Sequence, residues 1–171
     1  MMSQRLRLAT ASDVDALVDI LNGAVDWLKQ RGSDQWSGPP WHSSEPLPGV
    51  EAQTTHVAED AHRHIVGLMD ISTVPDEDFW TAADGLSAAL YVRHLAVDRS
   101  RNGRGIGAWM LKQADTMAAR AGRRCLRLDA WKTNTALHRY YLAQGFEHLR
   151  TVEVPGRHSG ALFQRLTTVE I

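Results

Sequence analysis

Hydrophobic and polar residues alternate over 5–10 (RLRLAT), which predicts a first strand. Ser12 and Asp13 then supply helix-start chemistry, and Val14, Leu17, Val18, Leu21, Val25 and Leu28 recur at three- and four-residue steps. That spacing predicts an amphipathic helix to about Arg31, stopped by Gly32, with Gly23 as a place where it could divide. Residues 32–53 break the pattern with four prolines and three glycines, so most of this stretch is read as a long loop. Trp36 and Trp41 within it argue for a functional loop, since disordered segments are poor in large aromatics. THVAED (55–60) and HIVGLMDIST (64–73) read as a hairpin, and 75–88 as an acidic polar loop. ALYVRHLAV (89–97) is a further strand. After a glycine-rich turn, Ile106, Met110, Ala114, Met117 and Ala121 mark a helix ended by Gly122. CLRLDAW (125–131) is a strand, Asn134 caps a helix over 135–144, and Gly145 stops it. FEHLRTVEV (146–154) and ALFQRL (161–166) close the chain as strands.

The order βα(α)βββαβαββ requires one parallel pair around the 89–131 crossover and antiparallel pairing elsewhere. The fold class is therefore mixed α/β (α+β): a mostly antiparallel sheet of six or seven strands with a central parallel pair, flanked by about four helices. No linker interrupts the pattern, so residues 1–171 are read as one domain.

Composition changes this picture little. Net charge is −1, which argues against a general nucleic-acid binder, and no apolar run approaches membrane-spanning length. The single cysteine, Cys125, excludes an intrachain disulfide, and MMSQRLRLAT lacks the apolar core of a secretory leader. A cytoplasmic protein without a membrane partner is expected.

The chemistry concentrates in RNGRGIG (101–107). Gly103, Gly105 and Ala108 satisfy the dinucleotide pattern G-x-G-x-x-G/A, with Asp129 about 20 residues on. Against that reading, DRSRN separates Val97 from the glycines, the chain turns to hairpins after 144, and 171 residues leave little room for a second domain. A turn of glycines opening a helix holds an anion through backbone amides in any case, and Arg99, Arg101 and Arg104 add charge.

LAVDRSRNGRGIGAWML (95–111) and NTALHRYYLAQGF (134–146) together resemble the two motifs of the GNAT superfamily of acetyltransferases, in order and at matching spacing. Asn102 stands where that family usually has Gln or Arg, and Arg99 where proline is common. The resemblance implies acetyl-CoA as co-substrate, no metal, and transfer of an acetyl group to a primary amine by direct attack on the thioester. It places the coenzyme on Leu95, Ala96, Val97, Asn102, Gly103, Arg104, Gly105, Ile106, Gly107, Ala108 and Asn134. Tyr141, four residues before Gly145, matches the general acid that protonates the departing thiolate. By strand alternation within the resemblance, Tyr91 and Arg93 face the acceptor, whereas His94 points away and is structural. Asp70 and Asp129 remain open as bases acting through water.

The loop before the second strand covers the acceptor cleft in this family, which puts Trp36 on its wall, with Trp27 and Trp41 as neighbours. A closed pocket favours a small-molecule amine over a peptide or protein; a CoA sensor without catalysis is the reading from another class. Many members are homodimers, and the strand at 146–154 or the last strand is expected to offer the edge.

Overall fold

The structure, a computed structural model, describes residues 3–101 and 103–167. Seven strands, β1 (Arg5–Leu8), β2 (Thr55–Glu59), β3 (Ile65–Ser72), β4 (Ala89–Val97), β5 (Cys125–Trp131), β6 (Glu147–Thr151) and β7 (Ser159–Leu166), form one sheet in the order β1-β2-β3-β4-β5-β7-β6. All neighbours run antiparallel except β4 and β5. β7 lies inside the sheet, between β5 and β6, so the last strand has no free edge; β1 and β6 are the edge strands.

Helix α1 (Val14–Gln30) packs on one face through Leu17, Ile20, Leu21 and Ala24, against Val57, Leu68 and Ala96. It runs through Gly23 without a break, because a 3.6-residue stripe of buried side chains continues on both sides. The proline-rich loop contains a short helix, α2 (Leu47–Glu51), with Pro48 in its first turn, where a missing amide costs nothing. Helices α3 (Ile106–Arg120) and α4 (Thr135–Ala143) cover the other face; Met110, Leu111, Ala114 and Tyr141 meet Val66, Met69, Leu126 and Phe163 there.

Segment 75–88 is not a solvated loop. Phe79 and Trp80 are buried with Tyr91, Cys125 and Leu162, and the carboxylates around them are used. Arg157 binds Asp76 at 2.6 Å and Asp78 at 2.5 Å, and Arg150 binds Asp84 at 2.7 Å.

The entry to α1 is fixed by charge. Asp13 accepts the Thr10 amide at 2.7 Å and both Arg7 Nη groups at 2.7 and 3.0 Å, while Arg7 Nε reaches Glu59 at 2.6 Å. Arg7 above all holds the Asp13 carboxyl down to about 2, from an ordinary 3.8. A depressed carboxyl stabilises the fold fully above pH 3.8 and loses that contribution as pH falls through 2. Arg7→Met is therefore expected to move acid unfolding, followed by circular dichroism, to higher pH.

Candidate active site

β4 and β5 pair only at Ala89, Leu90 and Tyr91 with Cys125, Leu126 and Arg127. Beyond that point they diverge, and the fork opens a cleft of about 1120 Å³. Its walls are β4 from Val92 to Val97, β5 from Leu128 to Trp131, the glycine turn, α4 and the loop after α1.

At one end the chain leaves β4 through a turn at Arg99–Arg101, whose start is tied down by Asp98, which accepts the Ser100 amide at 3.0 Å and its hydroxyl at 2.8 Å. Gly103 and Gly105 have φ of +79° and +69°, a conformation that glycine adopts without a Cβ clash, and α3 begins at once after Gly105. The first amides of α3 have no acceptor within their own helix and point toward the cleft end of its axis. Gly107 allows a close approach: a Cβ there would lie 2.9 Å from the Tyr140 hydroxyl. Gly103, Arg104, Gly105, Ile106, Gly107 and Ala108 all line the cleft, as do Leu95, Ala96, Val97 and Asn134. Asn102 lies outside the described residues.

The arginines differ in role. Arg101 is committed to Asp60 at 3.0 Å and Asp98 at 3.7 Å. Arg99 stacks on the Trp27 ring at 4.0 Å and Arg31 stacks on the same ring at 3.8 Å, both bordering the cleft. Arg99 Nε is buried with no hydrogen-bond partner among the described residues. Burial first, and the charge of Arg31 second, lower the pKa of Arg99. A desolvated cation facing a cleft beside a second cation suits a multiply charged anion. No motif marks Trp27 and Arg31 for this end; their spacing of one helical turn at the end of α1 is the signal the sequence carries.

Tyr141 sits at the fork, 7% exposed, with its ring against Phe146 and Phe163. Its hydroxyl has no hydrogen-bond partner among the described residues and borders the cleft. Burial, then Tyr140 and Asp129, push its pKa well above the ordinary phenol value, so it carries its proton at neutral pH. Asn134 uses its side chain twice within the protein: Oδ1 accepts the Leu137 amide at 3.0 Å as helix cap, and Nδ2 donates to Gln35 at 2.6 Å.

That second contact belongs to a strap. Asp34 accepts from Trp131 Nε1 at 3.1 Å and Thr133 Oγ1 at 2.6 Å, so residues 33–36 bridge from the α1 side to the β5 side. Trp36, at φ +56°, lines the cleft and meets Trp41 edge-on at 5.4 Å. Beyond the strap lie Arg93, whose Nη2 donates to the Val74 carbonyl at 3.1 Å, the Asp76–Arg157–Asp78 cluster, and Asp129 hydrogen-bonded by Ser159.

Two assignments made by strand alternation change. Tyr91 is 2% exposed and does not reach the cleft; its hydroxyl donates to the Leu86 carbonyl at 2.9 Å and accepts from Arg127 at 3.2 Å. It packs under segment 75–88, a segment whose apolar residues Phe79 and Trp80 need a partner. His94 does border the cleft. The cause is a bulge: Ala96 pairs with Leu68 and Arg93 with Asp70, so His94 and Leu95 together face Met69 alone. His94 takes φ +52° there, and the strict two-residue period ends.

Strands that pair at one end and part at the other, with a basic glycine turn at the mouth and a buried phenol at the fork, define a group-transfer site for a long anionic donor. Residues 51–148, more than half of the chain, match the acetyltransferase (GNAT) domain, and the chain belongs to that family of N-acetyltransferases. Over 168 residues it is 29% identical to the N-acetyltransferase YesJ of Bacillus subtilis (strain 168), covering 95% of this chain and 89% of that protein. A GNAT-family acetyltransferase of Listeria monocytogenes 4b F2365 superposes with a TM-score of 0.73 at 22% identity, over 95% of this chain and 94% of the other. YncA of Salmonella typhimurium, an acetyltransferase solved with acetyl-CoA, superposes with a TM-score of 0.68 at 19% identity, over 99% and 96%. No helix among the described residues is long and apolar enough to cross a membrane.

Proposed function

We propose that the protein transfers the acetyl group of acetyl-CoA to the primary amine of a small molecule. The residues present suit that donor: free amides at the start of α3, the cation pair on Trp27 with its orphaned Arg99 Nε, and an apolar fork above them. Acetyl-CoA supplies an activated acyl thioester. Leu95, Ala96 and Val97 offer the strand edge along which its arm lies, and the bulge frees backbone groups near the fork to polarise a carbonyl. Tyr141 holds a proton for the departing thiolate, and Trp36 and Arg93 orient the acceptor.

The observation that carries the small-molecule reading is the strap. Its hydrogen bonds from Asp34 and Gln35 to residues 131–134 cross the cleft where an extended polypeptide would have to lie. The test is release of CoA thiol from acetyl-CoA with a panel of amines, amino acids and peptides. Turnover of low-molecular-weight amines and none of peptides is expected; preference for peptides overturns the reading. Binding of acetyl-CoA without turnover of any acceptor would make the protein a sensor.

A further inference from the structure

The bulge in β4 gives His94 a position that a regular strand would not. A non-glycine residue at φ +52° stores backbone strain, retained when the surroundings over-determine it. Here Trp41 holds the imidazole edge-on at 5.5 Å, and Trp41 is itself clamped by Asn22 of α1, which accepts its amide at 2.8 Å and donates to its carbonyl at 3.2 Å. The side chain is 46% exposed, and His94 lines the cleft. It also borders a second chamber of about 40 Å³ behind β4, where Trp41, Glu45, Thr55 and Asp70 converge. His94 thus stands between the cleft and a small chamber on the α1 side of the sheet, whose walls also include Leu21, Pro46 and Leu68.

Asp70 lines that chamber. Its Oδ2 is 4.0 Å from His94 Nδ1, and its Oδ1 is buried with no hydrogen-bond partner among the described residues. A buried carboxylate oxygen without a donor is costly. Its cost is offset when the neighbouring imidazole becomes a cation. The groups facing His94 are Asp70 on β3, Arg93 on its own strand, Asp129 on β5 and Glu45 before α2; His56 on β2 shares the field of Asp70. Three of the four facing groups are carboxyls.

We propose that His94 takes the proton from the acceptor's ammonium group, with Asp70 as the positioning residue that stabilises the imidazolium. This rests on the acetyltransferase reading. In balance, the ammonium loses one proton to His94 and the neutral amine attacks the thioester carbon, forming a C–N bond as the C–S bond breaks. The thiolate takes its proton from Tyr141, which recovers one from the new amide nitrogen, so one proton leaves the site, through His94. Desolvation lowers the pKa of His94 from 6.5 and Asp70 pulls it back up, so the ring is neutral and ready to accept at physiological pH.

The test has two arms. In the first, pH profiles of kcat/KM are compared for wild type, His94→Gln and Asp70→Asn. His94→Gln is expected to lower kcat about 10²-fold and abolish the acid limb, leaving acetyl-CoA binding unchanged; Asp70→Asn is expected to keep the limb and move it to lower pH. In the second, the His94 imidazole is titrated by NMR, without turnover, in wild type and Asp70→Asn, and a fall in its pKa on substitution is expected. Wild-type activity in His94→Gln, or a titration unmoved by Asp70→Asn, overturns the proposal. Absence of acetyl-CoA binding in the wild type overturns the acetyltransferase reading instead, and the NMR arm still decides the pairing.

Discussion

Tyr141→Phe is expected to lower kcat about 10²–10³-fold while leaving the acetyl-CoA dissociation constant and the melting temperature unchanged. The separation follows from where the side chain makes its contacts. The ring packs on Phe146 and Phe163, and phenylalanine keeps that packing. The hydroxyl has no hydrogen-bond partner among the described residues, so removing it costs the fold nothing that the structure shows. What is lost is a proton at the fork of β4 and β5. Because burial and the neighbours Tyr140 and Asp129 raise the Tyr141 pKa above its ordinary 10.0, the wild-type rate should show no loss attributable to this group as pH rises through 10. Single-turnover measurement with a good acceptor checks the prediction without product release obscuring it. A mutant with the wild-type rate would remove Tyr141 from the chemistry and leave it as packing.

The fold was legible because its elements report locally. Val14, Leu17, Leu21 and Leu28 repeat at helical spacing and are buried as expected; Val18 and Val25 are not, and Ile20 and Ala24 take the core positions, a rotation of the stripe that spacing cannot resolve. The glycine turn was legible for the same reason, since a positive φ beside a helix start is written in Gly103 and Gly105 themselves. What stayed hidden depends on contacts distant in sequence. Asp34 reaches Thr133 across 99 residues and Asp76 reaches Arg157 across 81, so neither the strap nor the packed 75–88 segment has a local mark. The bulge at His94 and Leu95 is hidden differently: it is one extra residue against Met69, and it reverses which side chains face the cleft. Alternation counted from Ala89 therefore misplaces His94, whereas Arg93, before the bulge, lines the cleft; Tyr91, also before the bulge, is kept from the cleft by the 75–88 segment packed on it.

Arg99→Ala should weaken acetyl-CoA binding by about 10- to 100-fold, the loss expected when a hydrogen bond to a charged group disappears. The same substitution should leave the unliganded protein as stable or more so. These opposite effects have one origin. In the unliganded site Arg99 is a largely desolvated cation, 4.0 Å above Trp27, with Arg31 on the other contact to that ring at 3.8 Å and no carboxylate partner among the described residues. Removing it relieves repulsion and desolvation, the two causes that lower its pKa. Arg101→Ala provides the contrast, because Arg101 is paired with Asp60 and Asp98 and anchors the turn; its loss should lower the melting temperature first. Melting curves with and without acetyl-CoA read both quantities together, since ligand stabilisation grows with the ratio of ligand concentration to dissociation constant. If Arg99→Ala melts earlier than wild type and keeps its full upward shift on adding acetyl-CoA, then Arg99 is a structural clamp on Trp27 and the anion is held by the α3 amides without it. If the shift collapses while the unliganded curve holds, the strain of two cations on one tryptophan is the means by which this end of the cleft is kept ready for phosphate.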